Sequence, residues 1–316
     1  IVYCKYGWIL YNVDMYKIIL IYLLSLPVLA GESGDDLIKK NLGKLNNFTA
    51  DSISQFFNGP GTTEVKVRGM EEKKPEYSIL LVRPFSVSDT HSFFSQMQLN
   101  HYYIRDDGRV AINLGFGYRK IFNNNYILGA NIFVDADDEE NTRSSLGLEL
   151  KTNAFQAYAN YYSAISGSNT VGANIERVLD GYDIHAVGQI PFLPWANIHY
   201  TYFDWDAEKL LTDTDGSEVS LEMQITKNIL VEVGYSDNNF RSSDGFGSVR
   251  FVYPGREGVS AFDEFIAENA FASGAVNHLL LSKVERDNKI KIETTSEGVV
   301  IGRLDWWKRF FYFLFY

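Results

Sequence analysis

Cysteine is nearly missing from this 316-residue chain, and the one present, Cys4, lies upstream of a segment that reads as a secretory signal. That segment, Met15-Tyr-Lys-Ile-Ile-Leu-Ile-Tyr-Leu-Leu-Ser-Leu-Pro-Val-Leu-Ala30, carries a single Lys and an apolar core too short to span a bilayer. It ends on Val28-Leu29-Ala30 as a cleavage site. Cleavage there leaves a mature chain starting at Gly31 without a thiol, which excludes disulfides, thiol nucleophiles and a lipid-anchor cysteine. Such a chain suits an oxidising periplasm. Residues 1–14 precede a plausible start and read as an upstream extension.

Basic charge is also short. Lys and Arg number 29 against 40 Asp and Glu, giving a net charge of -11 and a pI near 5.0, which argues against nucleic acid as a partner. Long hydrophobic runs are scarce too: the mean hydropathy of -0.15 is far too low for a helical membrane protein of this size. A membrane barrel hides its apolar residues at alternate positions and scores near neutral. What the chain has in excess is aromatics, 15% of the residues with Tyr 20 and Phe 22, the residues from which a barrel builds its two interfacial girdles.

From Glu64 to Tyr253 short alternating runs follow one another, broken by Asn, Asp and Gly. In Val110-Ala-Ile-Asn-Leu-Gly-Phe-Gly-Tyr118, Val110, Ile112, Leu114, Phe116 and Tyr118 share one face, with Ala111, Asn113, Gly115 and Gly117 on the other. A period of two predicts strands. Twelve are expected, at 64–70, 76–83, 92–105, 109–120, 126–135, 143–151, 155–164, 182–192, 196–205, 218–226, 229–236 and 245–253. No segment among them can serve as a helical crossover, so neighbours should pair antiparallel. The expected fold is all-β, a twelve-stranded antiparallel transmembrane β-barrel (62–254), preceded by a short helical lead-in (31–61).

The connections alternate in length. Asn123-Asn-Asn125, Thr152-Asn153, Leu193-Pro194 and Lys227-Asn228 read as tight turns, and 135–142, 165–181, 204–217 and 237–244 as longer polar loops. Short turns on the periplasmic side and long loops outside are the rule for bacterial barrels. Arg105-Asp-Asp-Gly-Arg109 breaks the pattern as a short outer turn. One parity forms an apolar belt that includes Leu128, Ile132, Leu146, Leu148, Ile198, Tyr200, Val219, Val233, Tyr235, Val249 and Phe251. The other carries Asn131, Glu149, Lys151, Asn160, Asp183, His185, His199, Glu222, Glu232 and Arg250, which cannot face lipid.

Three segments, Asn113-Leu-Gly-Phe-Gly-Tyr-Arg-Lys120, Tyr126-Ile-Leu-Gly-Ala-Asn-Ile-Phe-Val-Asp135 and Arg143-Ser-Ser-Leu-Gly-Leu-Glu149, resemble the β-domain of inverse autotransporters, the intimin/invasin family. Gly181-Tyr-Asp-Ile-His-Ala-Val-Gly-Gln-Ile-Pro-Phe-Leu-Pro-Trp195 is similar to its glycine-aspartate strand and proline-bounded turn. Ser52-Ile-Ser-Gln-Phe56 is similar to the approach to its first strand, and Val284-Glu-Arg-Asp-Asn-Lys-Ile-Lys-Ile-Glu293 to the end of its linker. The motif residues carried over are Gly115, Gly117, Arg119, Gly129, Asp135, Gly147, Gly181, Asp183, Pro191, Val284, Glu285, Arg286, Asp287 and Asn288. The resemblance implies an outer-membrane barrel, a linker (255–293) threaded outward through the lumen, and a displayed C-terminal passenger, often an adhesin. Between Gly31 and Asp51 no peptidoglycan-binding repeat fits, and 294–316 read as a truncated passenger stub or tail, aromatic to its end at Tyr316. The linker stretch 259–282, with Phe262, Phe265, Ile266, Ala270, Val276, Leu279 and Leu280, is expected to be mostly helical, weakened by Gly274.

Other motifs dissolve on inspection. Gly115-Phe-Gly-Tyr-Arg-Lys120 lies inside a strand and leads into no helix, so it is not a nucleotide loop. Asp135-Ala-Asp-Asp-Glu-Glu140 opens like a calcium loop, but Glu140 and Leu146 stand where glycine and a bidentate glutamate are needed. His185 and His199 share lumen parity near Asp183 and could supply a general base, yet no serine motif accompanies them; lumen lining is the simpler reading. His91, His101 and His278 have no ligand spacing. The function expected is therefore a non-catalytic translocator and anchor without cofactor or metal. Its expected partners are outer-membrane lipids, the barrel-assembly machinery, periplasmic chaperones and, given a passenger, a host receptor. A porin-like barrel without export is the alternative.

Overall fold

Each of the twelve alternating runs forms a strand, and the twelve close on themselves. The computed structural model describes residues 60–296, apart from 71–73, 105–106, 173, 210–211 and 257–259. In chain order the strands are β1 (Thr62–Met70), β2 (Glu76–Val87), β3 (His91–Ile104), β4 (Asp107–Phe122), β5 (Tyr126–Asp137), β6 (Thr142–Lys151) and β7 (Phe155–Ala164). There follow β8 (Ser168–Val171), β9 (Asn174–Val178), β10 (Gly181–Ile190), β11 (Leu193–Trp205), β12 (Thr214–Gln224), β13 (Ile229–Asn238), β14 (Arg241–Tyr253) and β15 (Ile292–Ser296). All but β8, β9 and β15 build the barrel, each hydrogen-bonded to its neighbour in sequence, and β14 pairs antiparallel with β1 to close it. The expected lead-in, the signal segment and the tail beyond 296 lie outside the described residues.

The wall is inside-out relative to a soluble protein. Ile132, Leu146, Leu148 and Val249 are each more than half exposed on the outer face, while Asn131, Glu149, Asn160, Glu222 and Arg250 are buried in the lumen. Closure leaves no unpaired edge, and the apolar exterior meets a solvent that forms no hydrogen bonds.

Thr63 pairs with Tyr253, so the barrel starts and ends at the mouth that also carries the turns at 88–90, 123–125, 152–154, 191–192 and 225–228. We call this the short-turn mouth and the other the loop mouth. Four connections differ from expectation: one is 135–142, where β5 runs on to Asp137 and pairs with β6, leaving only 138–141 as a turn. The β10–β11 turn is Pro191-Phe192, with Phe192 at φ 64, rather than Leu193-Pro194. Residues 237–244 are not a long loop, because Asn238 pairs with Arg241 and leaves a two-residue turn. The 165–181 connection is not loop throughout: it contains the β8–β9 hairpin, which forms a separate three-stranded sheet with β15.

The linker contradicts its expected helix. Among its described residues the only helical element is the 3-10 turn Asn277–Leu279. The reason is where its backbone groups go. Arg256 N donates to Lys227 O, Ala261 N to Gln224 O and Ala267 N to Phe192 O, while Ala270 O accepts from Phe192 N. Groups spent on the barrel's turns cannot close helical i to i−4 bonds.

Candidate functional site: the thread in the lumen

After β14 the chain runs as a strap around the short-turn mouth and meets each turn in succession. It bonds to Lys227 and then to Phe192, accepts a hydrogen bond from Asn153 Nδ2 at Gly274 O (3.0 Å) and packs Val276 and Leu280 on Ile121 and Ile127 beside the 123–125 turn. Asn277 Nδ2 then donates to Asp89 O (2.7 Å). Val276 and Leu280 are fully buried, a gain of about 1.5–3 kcal/mol per side chain that holds the strap down.

Past Leu280 the chain turns into the lumen and becomes an extended thread. Arg119 Nη1 donates to Leu280 O (2.9 Å) and Ser282 O (2.6 Å), while its Nε and Nη2 grip Glu149 at 2.6 and 3.0 Å. Lys151 Nζ reaches Ser282 Oγ (2.8 Å) and Lys283 O (3.0 Å). Val284 N donates to Gln96 Oε1 (2.8 Å), and its side chain is buried among Leu80, Val82, Phe94 and Phe133.

The centre of the thread is Arg286. Its two terminal nitrogens donate to Asp135 Oδ1 and Oδ2 at 2.9 and 2.7 Å, and Ser145 Oγ accepts at 3.1 Å. This planar, bidentate match is what a guanidinium offers and a lysine does not. Asp135 also accepts from Arg143 Nε (2.7 Å) and Asn113 Nδ2 (2.8 Å), so its charge is fully compensated. Further along, Asp287 N donates to Tyr162 Oη (2.8 Å) and Asp183 Oδ2 (3.1 Å). Asn288 O accepts from Asn113 Nδ2 (3.1 Å), and Lys289 Nζ pairs with Glu76 (2.5 Å). At the loop mouth Ile292 to Ser296 add to β9 as a strand, Ile292 opposite Val178 and Thr294 opposite Glu176. Arg109 braces the hairpin through Glu176 (2.5 Å), both side chains buried.

A barrel threaded by its own C-terminal linker is the arrangement that the sequence motifs imply, and the profile of the inverse autotransporter β-domain matches residues 32–286. The chain belongs to that family. A relative from Escherichia coli strain K12, described as a putative attaching and effacing protein homolog, is 29% identical over 147 residues, 45% of this chain and 48% of the relative. The chain thus spans about half the length of that relative. A chain solved in work on the in-meso crystallization of membrane proteins superposes with a TM-score of 0.62 at 23% identity, covering 74% of this chain and 99% of its own. This inverse autotransporter domain resides in the outer membrane.

The motif residues of the inverse autotransporter fall into three groups. Asp135 and Asp183 meet the thread at Arg286 and Asp287, Arg119 holds it at Leu280 and Ser282, and Val284, Glu285 and Asn288 meet Gln96, Asn160 and Asn113, with Glu285 O accepting from Asn160 Nδ2 (3.0 Å). The glycines stand behind them. A Cβ on Gly117 would lie 2.3 Å from the Phe94 ring and one on Gly115 2.4 Å from Phe133. Those two rings are the ones that flank Val284 and lie under cations, Phe94 beneath Arg119 at 4.1 Å and Phe133 beneath Arg286 at 4.3 Å. Gly129 and Gly147 likewise clear room for Glu149, Asn131 and Asn160. Gly181 and Pro191 sit at the two mouths, at the start of β10 and in the β10–β11 turn.

Sequence reasoning missed Phe94, Phe133, Arg143 and Tyr162 as parts of this site. The signal was present: Phe94 and Phe133 are aromatics on the polar parity, between Ser92 and Gln96 and between Asn131 and Asp135. His185 and His199 do share the lumen but not one partner. His185 touches Asp183 (3.3 Å) and Thr201 Oγ1 (2.8 Å), and His199 faces Glu222 at 3.7 Å. In the acidic turn Asp137 Oδ1 accepts from the backbone of Glu139 and Asn141, and among the described residues no group of three or more potential ligands could hold a metal. Between the thread and the side of the wall formed by β10–β14 and β1–β3 a cavity of about 410 Å³ remains, lined by Lys66, Arg68, His199, Thr201 and Glu218 among others.

Proposed function

We propose that this outer-membrane barrel anchors and exports the polypeptide that follows its thread and displays it at the bacterial surface, without catalysing a reaction. The observation that carries this reading is the course of residues 282–296, which runs from the short-turn mouth to the loop mouth and joins an outer hairpin as β15. A chain whose only task was conduction would have no use for a filled bore. The name of the Escherichia coli relative favours a surface attachment role for the exported part, with a host receptor as its target. Assembly in the membrane would engage the barrel-assembly machinery and periplasmic chaperones. Asp183, the carboxylate beside His185, already accepts from Asn160, Tyr162 and the thread, which favours lumen lining over general-base chemistry.

The test is topological. An epitope inserted after Glu293 is expected to be cleaved or bound by antibody on intact cells. Protection of that epitope while the 165–180 loop is cut would sink the export reading. The 410 Å³ side cavity favours one competing view, a leaky pore, which predicts steady conductance in planar bilayers; the export reading predicts a largely closed channel.

A further inference from the structure

The strap carries an apolar surface that nothing in the described structure covers. Phe262 is 81% exposed, Ile266 68% and Phe265 63%, and Phe271 is exposed as well. These side chains lie on the stretch fastened at Gln224 and Phe192. They are held out rather than loose: Phe265 stacks on Trp195 at 5.4 Å, and Trp195 Nε1 donates to Phe265 O (2.9 Å). Interleaved with them are the exposed acids Asp263, Glu264 and Glu268. An apolar patch of this kind on a fixed backbone marks a contact surface.

We infer that its occupant is the chain's own N-terminal segment around residues 37–45. Leu37, Ile38, Leu42 and Leu45 recur at the spacing of one helical face, and Lys39, Lys40 and Lys44 accompany them. Three lysines against three carboxylates, and four aliphatic side chains against four apolar ones, make the two segments complementary in both charge and hydrophobicity. The place where this segment joins the barrel is also right. It leads into β1 at the short-turn mouth, where Thr62 Oγ1 donates to Leu281 O (2.8 Å) at the foot of the strap. The stretch 46–61 is long enough to span about 50 Å if fully extended, about twice the ~24 Å diameter expected of twelve strands spaced ~4.8 Å and tilted ~40°. An anionic lipid headgroup layer is the weaker occupant, because its charge would repel the three carboxylates beside the phenylalanines.

The full-length chain in outer-membrane vesicles tests this directly. A photo-reactive benzoylphenylalanine at Phe265 should give an intramolecular adduct that mass spectrometry maps to residues 35–45. E264K with E268K should lower that yield about fivefold, as expected for losing exposed charge pairs, and K39E with K40E should restore it. Heat-modifiable migration of the barrel on gels checks that each variant is folded. Adducts to phospholipid, to a second copy or to another protein would overturn the inference, and so would an intramolecular yield indifferent to the charge swap in folded protein.

Discussion

Replacing Arg286 by methionine is expected to release the thread while leaving the wall closed. The substitution keeps much of the volume but removes the two bonds to Asp135 and the one to Ser145, and touches none of the strand pairings. Breaking a buried ion pair costs about 3–5 kcal/mol, and the lower end applies because Arg143 still faces Asp135 at 2.7 Å. About 3 kcal/mol corresponds to a ~150-fold shift in the ratio of thread-out to thread-in states. Planar-bilayer recordings read that ratio as open against closed time. D135N probes the other side of the pair. The double variant R286M/D135N should fall short of the sum of the singles by about 1–3 kcal/mol, since the two residues share one interaction. An open fraction within a few-fold of the parent's for R286M, or strictly additive singles, would refute the assignment of Arg286 as the principal anchor.

Other perturbations separate the parts of the site. G117A should disturb the thread through Phe94, which its Cβ would approach to 2.3 Å, at about 1–3 kcal/mol; in an F94A background, where the ring is gone, the same substitution should cost little beyond F94A alone, read as thermal stability on gels. R109A leaves Glu176 buried without its guanidinium partner and should accelerate hydrogen exchange in β8, β9 and β15 by at least about a hundredfold, with β3–β6 unaffected. L148R, on the lipid face where Leu148 is fully presented, should reduce the stability of barrel insertion by about 2–4 kcal/mol if it sits near the bilayer midplane, measured by folding titration into vesicles; an unchanged titration would place that face away from lipid.

The wall was legible because strand pairing forces side chains into a strict alternation, and every inward-facing Asn, Glu or Arg is visible as a break in an apolar rhythm. The same rule flagged Asp183 as a lumen residue before its partners were known, whereas Asp135 read as the start of an outer loop. The β8–β9 hairpin was not legible. Ser168 to Val178 is polar and short, and β9 acquires its second partner only from β15, more than a hundred residues later in the chain. The strap misled for a different reason: Phe262, Phe265 and Ile266 are spaced like a helix face, but Ala261, Ala267 and Ala270 spend their backbone groups on the barrel's turns. Local periodicity cannot reveal a partner supplied by distant sequence.

The order of charges along the thread has a mechanical consequence. Arg286 sits between Glu285 and Asp287, so a one-position slip, with the half-turn by which an extended chain presents its next side chain, would bring an acid up against the Asp135 carboxylate in a dry site, and a two-position slip would offer it only Val284 or Asn288. Like charges so confined repel strongly. The thread accordingly has one detent at which it comes to rest, and the same acids that flank the arginine resist slippage toward either mouth alike.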